Sequence, residues 1–271
     1  MDIVRMSQPI SQPQGQGQRL AGKVCIVTGA AMGLGKADAI VMAREGATVI
    51  LTDVDAAQGE ATAAEIGERA LFVHHDVRDE QAWIDLVARI MAQFGRLDVL
   101  VNNAGVLKRA HIEEATLEDW RFVQSINVEG TFLGIKHCIP AMRASGGGSI
   151  INVSSTAAQQ GFPNGAAYTA SKGAVLALTR SVAIHCLNQG DRIRCNAILP
   201  HVAESPMVHA SLEQSFAGIP AEQRPKVAMG SPFAVANAVL FLASDESSDL
   251  NGTTLNLDRG TACIVGQMPE S

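Results

Sequence analysis

The sequence predicts an α/β protein, a single domain built on a doubly wound parallel sheet of seven strands. Three observations carry that expectation. Short β-branched and aliphatic runs alternate with longer stretches whose apolar residues recur every three or four positions, the pattern of repeated strand-helix-strand units. The runs VCIVT and VLVNN are apolar almost throughout, which suits strands covered by helices on both faces. No Pro/Gly/Ser linker or composition shift interrupts the alternation, so one domain is expected although 271 residues would allow two.

Residues 1–20 are rich in Gln, Ser and Pro and lack the apolar segment of a secretory signal. They read as a flexible tail ahead of a domain over 21–271. The first strand, 23–28, runs into Thr28-Gly29-Ala30-Ala31-Met32-Gly33-Leu34-Gly35 and then a helix with Ala37, Ile40, Val41 and Ala43 inward. The second strand, 48–53, ends on Asp53. The third, 71–75, ends on His74 and His75, which point to opposite faces because strand side chains alternate. Helical spacing over 81–94 leads to a strand at 97–102, and a long helix over 116–144 leads to one at 149–154. A helix over 166–187 precedes the strand 192–198, and a helix over 232–243 precedes the last, 253–258.

Composition excludes several functions. The net charge is -6 and no Lys/Arg run exceeds two, so the basic footprint of nucleic-acid binding is missing. No apolar run approaches the ~20 residues of a membrane span. The cysteines (Cys25, Cys138, Cys186, Cys195, Cys263) are odd in number and never spaced C-x-x-C. That pattern suits neither a disulfide framework nor a zinc site, and no metal-ligand cluster is visible. A reducing cytoplasm is the expected compartment.

Glycines at a strand-to-helix turn let the backbone approach a pyrophosphate, which sits where free N–H groups and the helix dipole favour anions. The glycines alone also fit a plain tight turn. Asp53 argues for the nucleotide: it ends the second strand 18 residues after Gly35, where a carboxylate accepts from both ribose hydroxyls and repels a 2'-phosphate. The neighbours Met32 and Val54 are not basic, which favours NAD over NADP. A solvated strand-end carboxylate is the bland reading of Asp53.

Tyr168 is the only tyrosine, and Lys172 follows it by four residues on one helical face. Such a pair is usually surface decoration. Ser155 lifts it, because it ends the preceding strand at the sheet edge where doubly wound folds place ligands. Oxidising an alcohol by hydride loss also requires its hydroxyl proton to leave. A phenol of pKa ~10 needs roughly 4 kcal/mol of help to accept that proton at neutrality. An adjacent ammonium and an oxidised nicotinamide ring supply such help.

These elements together resemble the short-chain dehydrogenase/reductase family, over essentially the whole chain after the tail. The matching residues are Thr28-Gly29-x-x-x-Gly33-Leu34-Gly35, Asp76-Val77, Asn102-Asn103-Ala104-Gly105, Asn127, the Ser155/Tyr168/Lys172 set, and Asn196-Ala197-Ile198-Leu199-Pro200. The resemblance implies a Rossmann-type sheet and specific roles. Tyr168 becomes the general base and Ser155 the holder of the substrate oxygen. Lys172 lowers the phenol pKa and binds the nicotinamide ribose. Asn127 holds a water linking Lys172 to solvent; by itself it also fits a helix-interior polar residue facing a neighbour. Gly29, Met32, Gly33 and Leu34 belong to the phosphate turn, Asp76 and Val77 to the adenine contact, and Asn103 and Gly105 to the wall beside the adenosine. Pro200, the backbone near Ala203 and the Ser205 hydroxyl anchor the carboxamide. After Pro200 the family usually has Gly, whereas this chain has His201, which either touches substrate or is a surface-turn histidine.

The stretches 156–165 and 202–220 bring Phe162, Pro163, Met207, Val208, Leu212 and Phe216 near the site. They suit a hydrophobic ring better than a sugar or charged acid, unless they merely cap the core. Segments at 64–69 and 240–248 resemble bacterial 3β/17β-hydroxysteroid dehydrogenases, with cyclic secondary-alcohol dehydrogenases as near relatives. The expected activity is NAD-dependent interconversion of a bulky hydrophobic secondary alcohol, steroid or alicyclic, and its ketone. The alternatives are a 3-oxoacyl thioester reductase using NADPH and a non-catalytic NAD-binding sensor or scaffold. The resemblance also implies a homotetramer, paired through 116–144, 166–187 and the last strand.

Overall fold

Every residue of VCIVT is buried, and its alternate side chains enter different cores. Cys25 and Val27 join one apolar cluster and Val24 and Ile26 the other, because strand side chains alternate between faces. The computed structural model describes residues 17–261. Seven parallel strands form one sheet: β1 (Val24–Thr28), β2 (Thr48–Asp53), β3 (Ala70–His74), β4 (Val99–Asn102), β5 (Gly148–Val153), β6 (Ile193–Pro200) and β7 (Thr254–Leu257). Their order is β3-β2-β1-β4-β5-β6-β7, with Val27 aligned to Leu51 on one side and Val101 on the other. The expected doubly wound, single-domain sheet is therefore present, with strand ends displaced by one or two residues.

Eight α-helices cover the sheet among the described residues: α1 (Gly33–Arg44), α2 (Ala56–Ile66), α3 (Glu80–Phe94), α4 (Leu117–Gln124), α5 (Gly130–Ala144), α6 (Ala166–Asn188), α7 (Pro206–Ser215) and α8 (Pro232–Ala243). Residues of α1 and α8 fill one core, and those of α3, α5 and α6 the other. Asp55, Asp79 and Thr116 cap α2, α3 and α4 by accepting backbone N–H bonds, each cap contributing ~1 kcal/mol. In α1 the side chain of Asp38 is fully buried and neither carboxyl oxygen has a hydrogen-bond partner. Desolvation raises its pKa well above the usual carboxylate range.

Two expectations change. The single helix over 116–144 is two helices joined by a π turn, Ser125–Glu129, in which Gly130 N–H bonds the Ser125 carbonyl. The wider turn carries buried Asn127, whose side chain is held from outside the helix. Residues 202–220, a flanking stretch to which no helix was assigned, contain α7. Its N-cap Ser205 accepts from Val208 N–H. Of the tail expected over 1–20, residues 1–16 lie outside the described residues, as does 262–271 with Cys263. Leu20 is fully buried and Arg19 pairs with Glu246 at 2.6 Å, so the folded body begins before residue 21.

No helix among the described residues is long and apolar enough to cross a membrane. The strand order reverses between β1 and β4, which opens a crevice at their carboxyl ends.

Candidate active site

A cleft of about 650 Å³ occupies that crevice. Facing it are the turn residues Gly29, Met32, Gly33 and Leu34, then Asp53, Asp76, Val77, Asn103, Gly105, Ser155, Tyr168, Lys172, Pro200, Ala203 and Ser205. Met207 and Val208 of the expected apolar lining also face the cleft, whereas Asn127 and, of that lining, Phe162, Pro163, Leu212 and Phe216 do not.

The nucleotide half is built by β1, β2 and β4. Thr28 Oγ1 accepts from the N–H groups of Asn103 and Ala104, both at 3.0 Å. Asn103 Nδ2 donates to the carbonyls of Thr28 at 2.8 Å and Gly29 at 3.0 Å. These bonds brace the glycine turn from the neighbouring strand. Gly29 lies at φ +63, and a Cβ on Gly35 would sit 2.3 Å from the Gly29 carbonyl oxygen. A side chain there would displace the turn. Unlike α2, α3 and α4, helix α1 has no side-chain cap, and its first turn holds no acidic residue. Its leading N–H groups are thus available to an anion.

Asp53 Oδ2 accepts from Ala31 N–H and Oδ1 from Asp55 N–H, each at 3.0 Å. Each oxygen keeps lone-pair capacity for a ribose hydroxyl. Asp76 is gripped by Arg78, Nη2 to Oδ2 at 2.5 Å and Nε to Oδ1 at 3.0 Å. This pairing holds its carboxyl below the usual range. Uncapped helix, close-packed glycines and two oriented carboxylates fit an adenosine pyrophosphate.

In the other half, the Ser155 side chain stands beside the Tyr168 phenol and favours the phenolate, but burial outweighs this and raises the phenol pKa. Lys172 is buried, lies with Nζ 5.6 Å from the Tyr168 ring centroid, and donates to the Val153 carbonyl at 2.8 Å. Burial lowers its pKa to about 8, so most of the ammonium persists at neutrality. Ser154 Oγ bonds the Lys172 carbonyl at 2.9 Å, tying α6 to the end of β5.

Asn127 organises this group from behind. Its Oδ1 accepts from Val106 N–H at 2.8 Å, and its Nδ2 donates to the Val106 carbonyl at 3.0 Å and to Ser171 Oγ at 2.9 Å. Ser171 in turn donates to the Tyr168 carbonyl. The loop after β4 is thereby locked to the turn of α6 that carries the phenol. Gly105 faces both groups: a Cβ there would lie 3.3 Å from Asn127 Oδ1 and 3.4 Å from Lys172 Nζ.

Three polar cleft residues whose part in the site the sequence left open or unassigned are His201, Arg78 and Arg109. His201 faces the cleft with Nδ1 3.1 Å from Thr156 Oγ1. Arg78 emerges only through its grip on Asp76. Arg109 lies in a dipeptide, Lys108-Arg109, that reads as a solvated charge in sequence; only the tertiary fold brings it to the cleft. The sequence signal for it was no stronger than for any surface arginine.

Sheet order, braced glycine turn and the Ser155/Tyr168/Lys172 group define a nicotinamide-dependent oxidoreductase. The family profile described as enoyl-(acyl carrier protein) reductase matches residues 29–262. The chain belongs to the short-chain dehydrogenase/reductase family. It is 42% identical over 244 residues to 3-beta-hydroxysteroid dehydrogenase of Comamonas testosteroni, covering 89% of this chain and 96% of the relative. It is 40% identical over 252 residues to trans-4-hydroxycyclohexanecarboxylate dehydrogenase of Sinomonas cyclohexanicum, covering 89% and 93%. The crystal structure of levodione reductase superposes with a TM-score of 0.84 at 33% identity, covering 90% of this chain and 99% of that one.

Proposed function

We propose that the protein interconverts a bulky, hydrophobic, cyclic secondary alcohol and its ketone, with NAD as the hydride carrier. The observation that carries this reading is the Ser155–Tyr168–Lys172 group at one end of a mostly apolar cleft whose other end fits adenosine. Relatives named for steroid and alicyclic substrates support the substrate class.

Tyr168 takes the hydroxyl proton of the alcohol, and Ser155 holds the same oxygen by a hydrogen bond. Bound NAD supplies the hydride acceptor and, when oxidised, a positive ring. Because burial pushes the phenol up, its ionisation demands more than the ~4 kcal/mol that three pKa units cost. Lys172 provides one cationic partner from within the chain and also holds the nicotinamide ribose. Asn127 spends its side chain on Val106 and Ser171, so holding a water falls to its carbonyl, which already accepts from Thr131 Oγ1 at 2.9 Å. The Ser205 oxygen caps α7 but its hydroxyl hydrogen remains free to anchor the carboxamide beside Pro200 and Ala203.

NAD rather than NADP is favoured by Asp53 and by the commitment of Arg78 to Asp76, which leaves a 2'-phosphate facing carboxylates. A panel of steroid and alicyclic alcohols with NAD and NADP in parallel tests the whole reading. NADH should form from cyclic alcohols, with NADP at least about tenfold poorer, the equivalent of 1.4 kcal/mol at the ribose. No NADH from any alcohol, with NADPH consumed by a carrier-bound 3-oxoacyl thioester, would establish the rival reductase instead.

A homotetramer completes the proposal, and a cytoplasmic setting is consistent with the free Cys25, Cys138, Cys186 and Cys195 among the described residues. Phe132 on α5 and Ile184 and Leu187 on α6 are 47%, 56% and 62% exposed, an apolar surface that pairing of these helices would cover. Light scattering should give four times the chain mass; a monomer would refute this part.

A further inference from the structure

Resting on the dehydrogenase reading, we infer that Arg109 anchors a carboxylate on the substrate, so that the preferred alcohol is a ring bearing both a hydroxyl and an acidic group. Arg109 belongs to the chain that follows β4 and lines the cleft. Its guanidinium lies over the Phe162 ring, 5.2 Å from the centroid, and Nη1 donates to Ser211 Oγ of α7 at 2.8 Å. Stacking and the contacts of Nη1 to Ser211 Oγ and, at 3.4 Å, to the Ser211 carbonyl hold the guanidinium and still leave most of its five N–H donors uncommitted.

What Arg109 lacks is a counter-charge. Arg78 has Asp76, Arg224 has Glu213 and Lys108 has Asp119, but no carboxylate among the described residues lies within ion-pair distance of Arg109. The two carboxylates that line the cleft, Asp53 and Asp76, are both in the nucleotide half and both engaged. The substrate half holds Lys172 and Arg109 with no carboxylate among its described lining residues. A partly buried cation stacked on an aromatic ring is costly unless something negative joins it. A carboxylate suits the planar fork of Arg in a bidentate pair. The apolar lining accepts the ring, and Arg109 accepts its acidic substituent, which revises the expectation that the pocket disfavours a charged acid.

The test compares hydroxycyclohexanecarboxylates with their methyl esters, which keep ring and alcohol but remove the charge. Wild type should oxidise at least one acid about tenfold more efficiently than its ester, and Arg109→Gln should lose about 10- to 100-fold in kcat/KM on the acid, mainly through KM. The ester should change less than about threefold, and Arg109→Lys should recover part of the loss on the acid. Equal losses on acid and ester, or none on either, would assign Arg109 to holding α7 and overturn the inference. Calorimetric binding of cyclohexanecarboxylate to the NADH complex is a second readout independent of turnover. Failure of every alcohol to react, with this acid still bound through Arg109, would overturn the dehydrogenase reading and keep the anchor. Absence of binding in wild type would overturn the anchor whatever the turnover.

Discussion

Tyr168→Phe is expected to lower kcat/KM for alcohol oxidation by about 10²- to 10⁴-fold, the range that one positioned general base contributes. NAD affinity should stay within about threefold, because the substitution removes one oxygen from the reacting centre and leaves the adenosine half untouched. The phenol is the group whose ionisation the site must force. Burial raises its pKa, the adjacent Ser155 side chain lowers it, and the nearby Lys172 stays largely charged at neutrality with a pKa of about 8. A raised pKa for the base means that its reactive, deprotonated form grows as pH rises. Wild-type kcat/KM for oxidation should therefore climb from about pH 6 towards about pH 8, above which Lys172 loses its charge, and the variant should show a flat residual rate. Stopped spectrophotometric assays of NADH formation, with NAD binding followed by protein fluorescence, check both halves. Undiminished turnover would remove Tyr168 from the chemistry. A wild type that binds NAD and turns over nothing would instead be the sensor of the same fold.

A second large effect is expected far from the chemistry. Asp38→Ala should stabilise the protein by about 1–3 kcal/mol, since it deletes a buried carboxyl that has no hydrogen-bond partner. For a chain of this size that corresponds to roughly 5 °C in Tm. The sign with pH follows from the raised pKa. The folded state keeps the proton that the unfolded chain releases above its ordinary value of 3.8, so wild-type stability declines as pH rises from there towards the folded pKa. The gain from Asp38→Ala should accordingly be larger at about pH 9 than at about pH 4. Asp38→Asn cannot ionise but keeps a polar burden, and should gain only at the higher pH. Calorimetric melting at both pH values decides the matter; an alanine variant less stable at both would refute it.

Much of the fold was legible because parallel strands buried on both faces must be apolar throughout, and VCIVT and VLVNN cannot be placed elsewhere. The glycine turn was legible for a related reason: Gly29 needs a positive φ and Gly35 has no space for a side chain. Asp53, Ser155, Tyr168 and Lys172 were readable because their roles follow from strand ends and a four-residue helical spacing. The π turn was not readable. Its periodicity differs from an α-helix by one residue in five, and the partners that hold Asn127 there, Val106 and Ser171, are 21 and 44 residues away. α7 escaped notice because none of its residues is buried, so it carries no core-facing stripe for periodicity to detect.

The amino-acid sequence by itself determined the sheet, the nucleotide turn and the chemical identity of the reacting groups, because those depend on local conformation and short spacings. Only the tertiary structure decided the electrostatics. Burial raises the Tyr168 phenol and lowers Lys172 through the same loss of water, and it raises the Asp38 carboxyl likewise. Likewise, Arg109 is an ordinary surface cation in the sequence. It becomes a charge facing the cleft only where Phe162 and Ser211, 53 and 102 residues further along the chain, close around it. Desolvation and long-range proximity are properties of the assembled core, and no local pattern of residues encodes them.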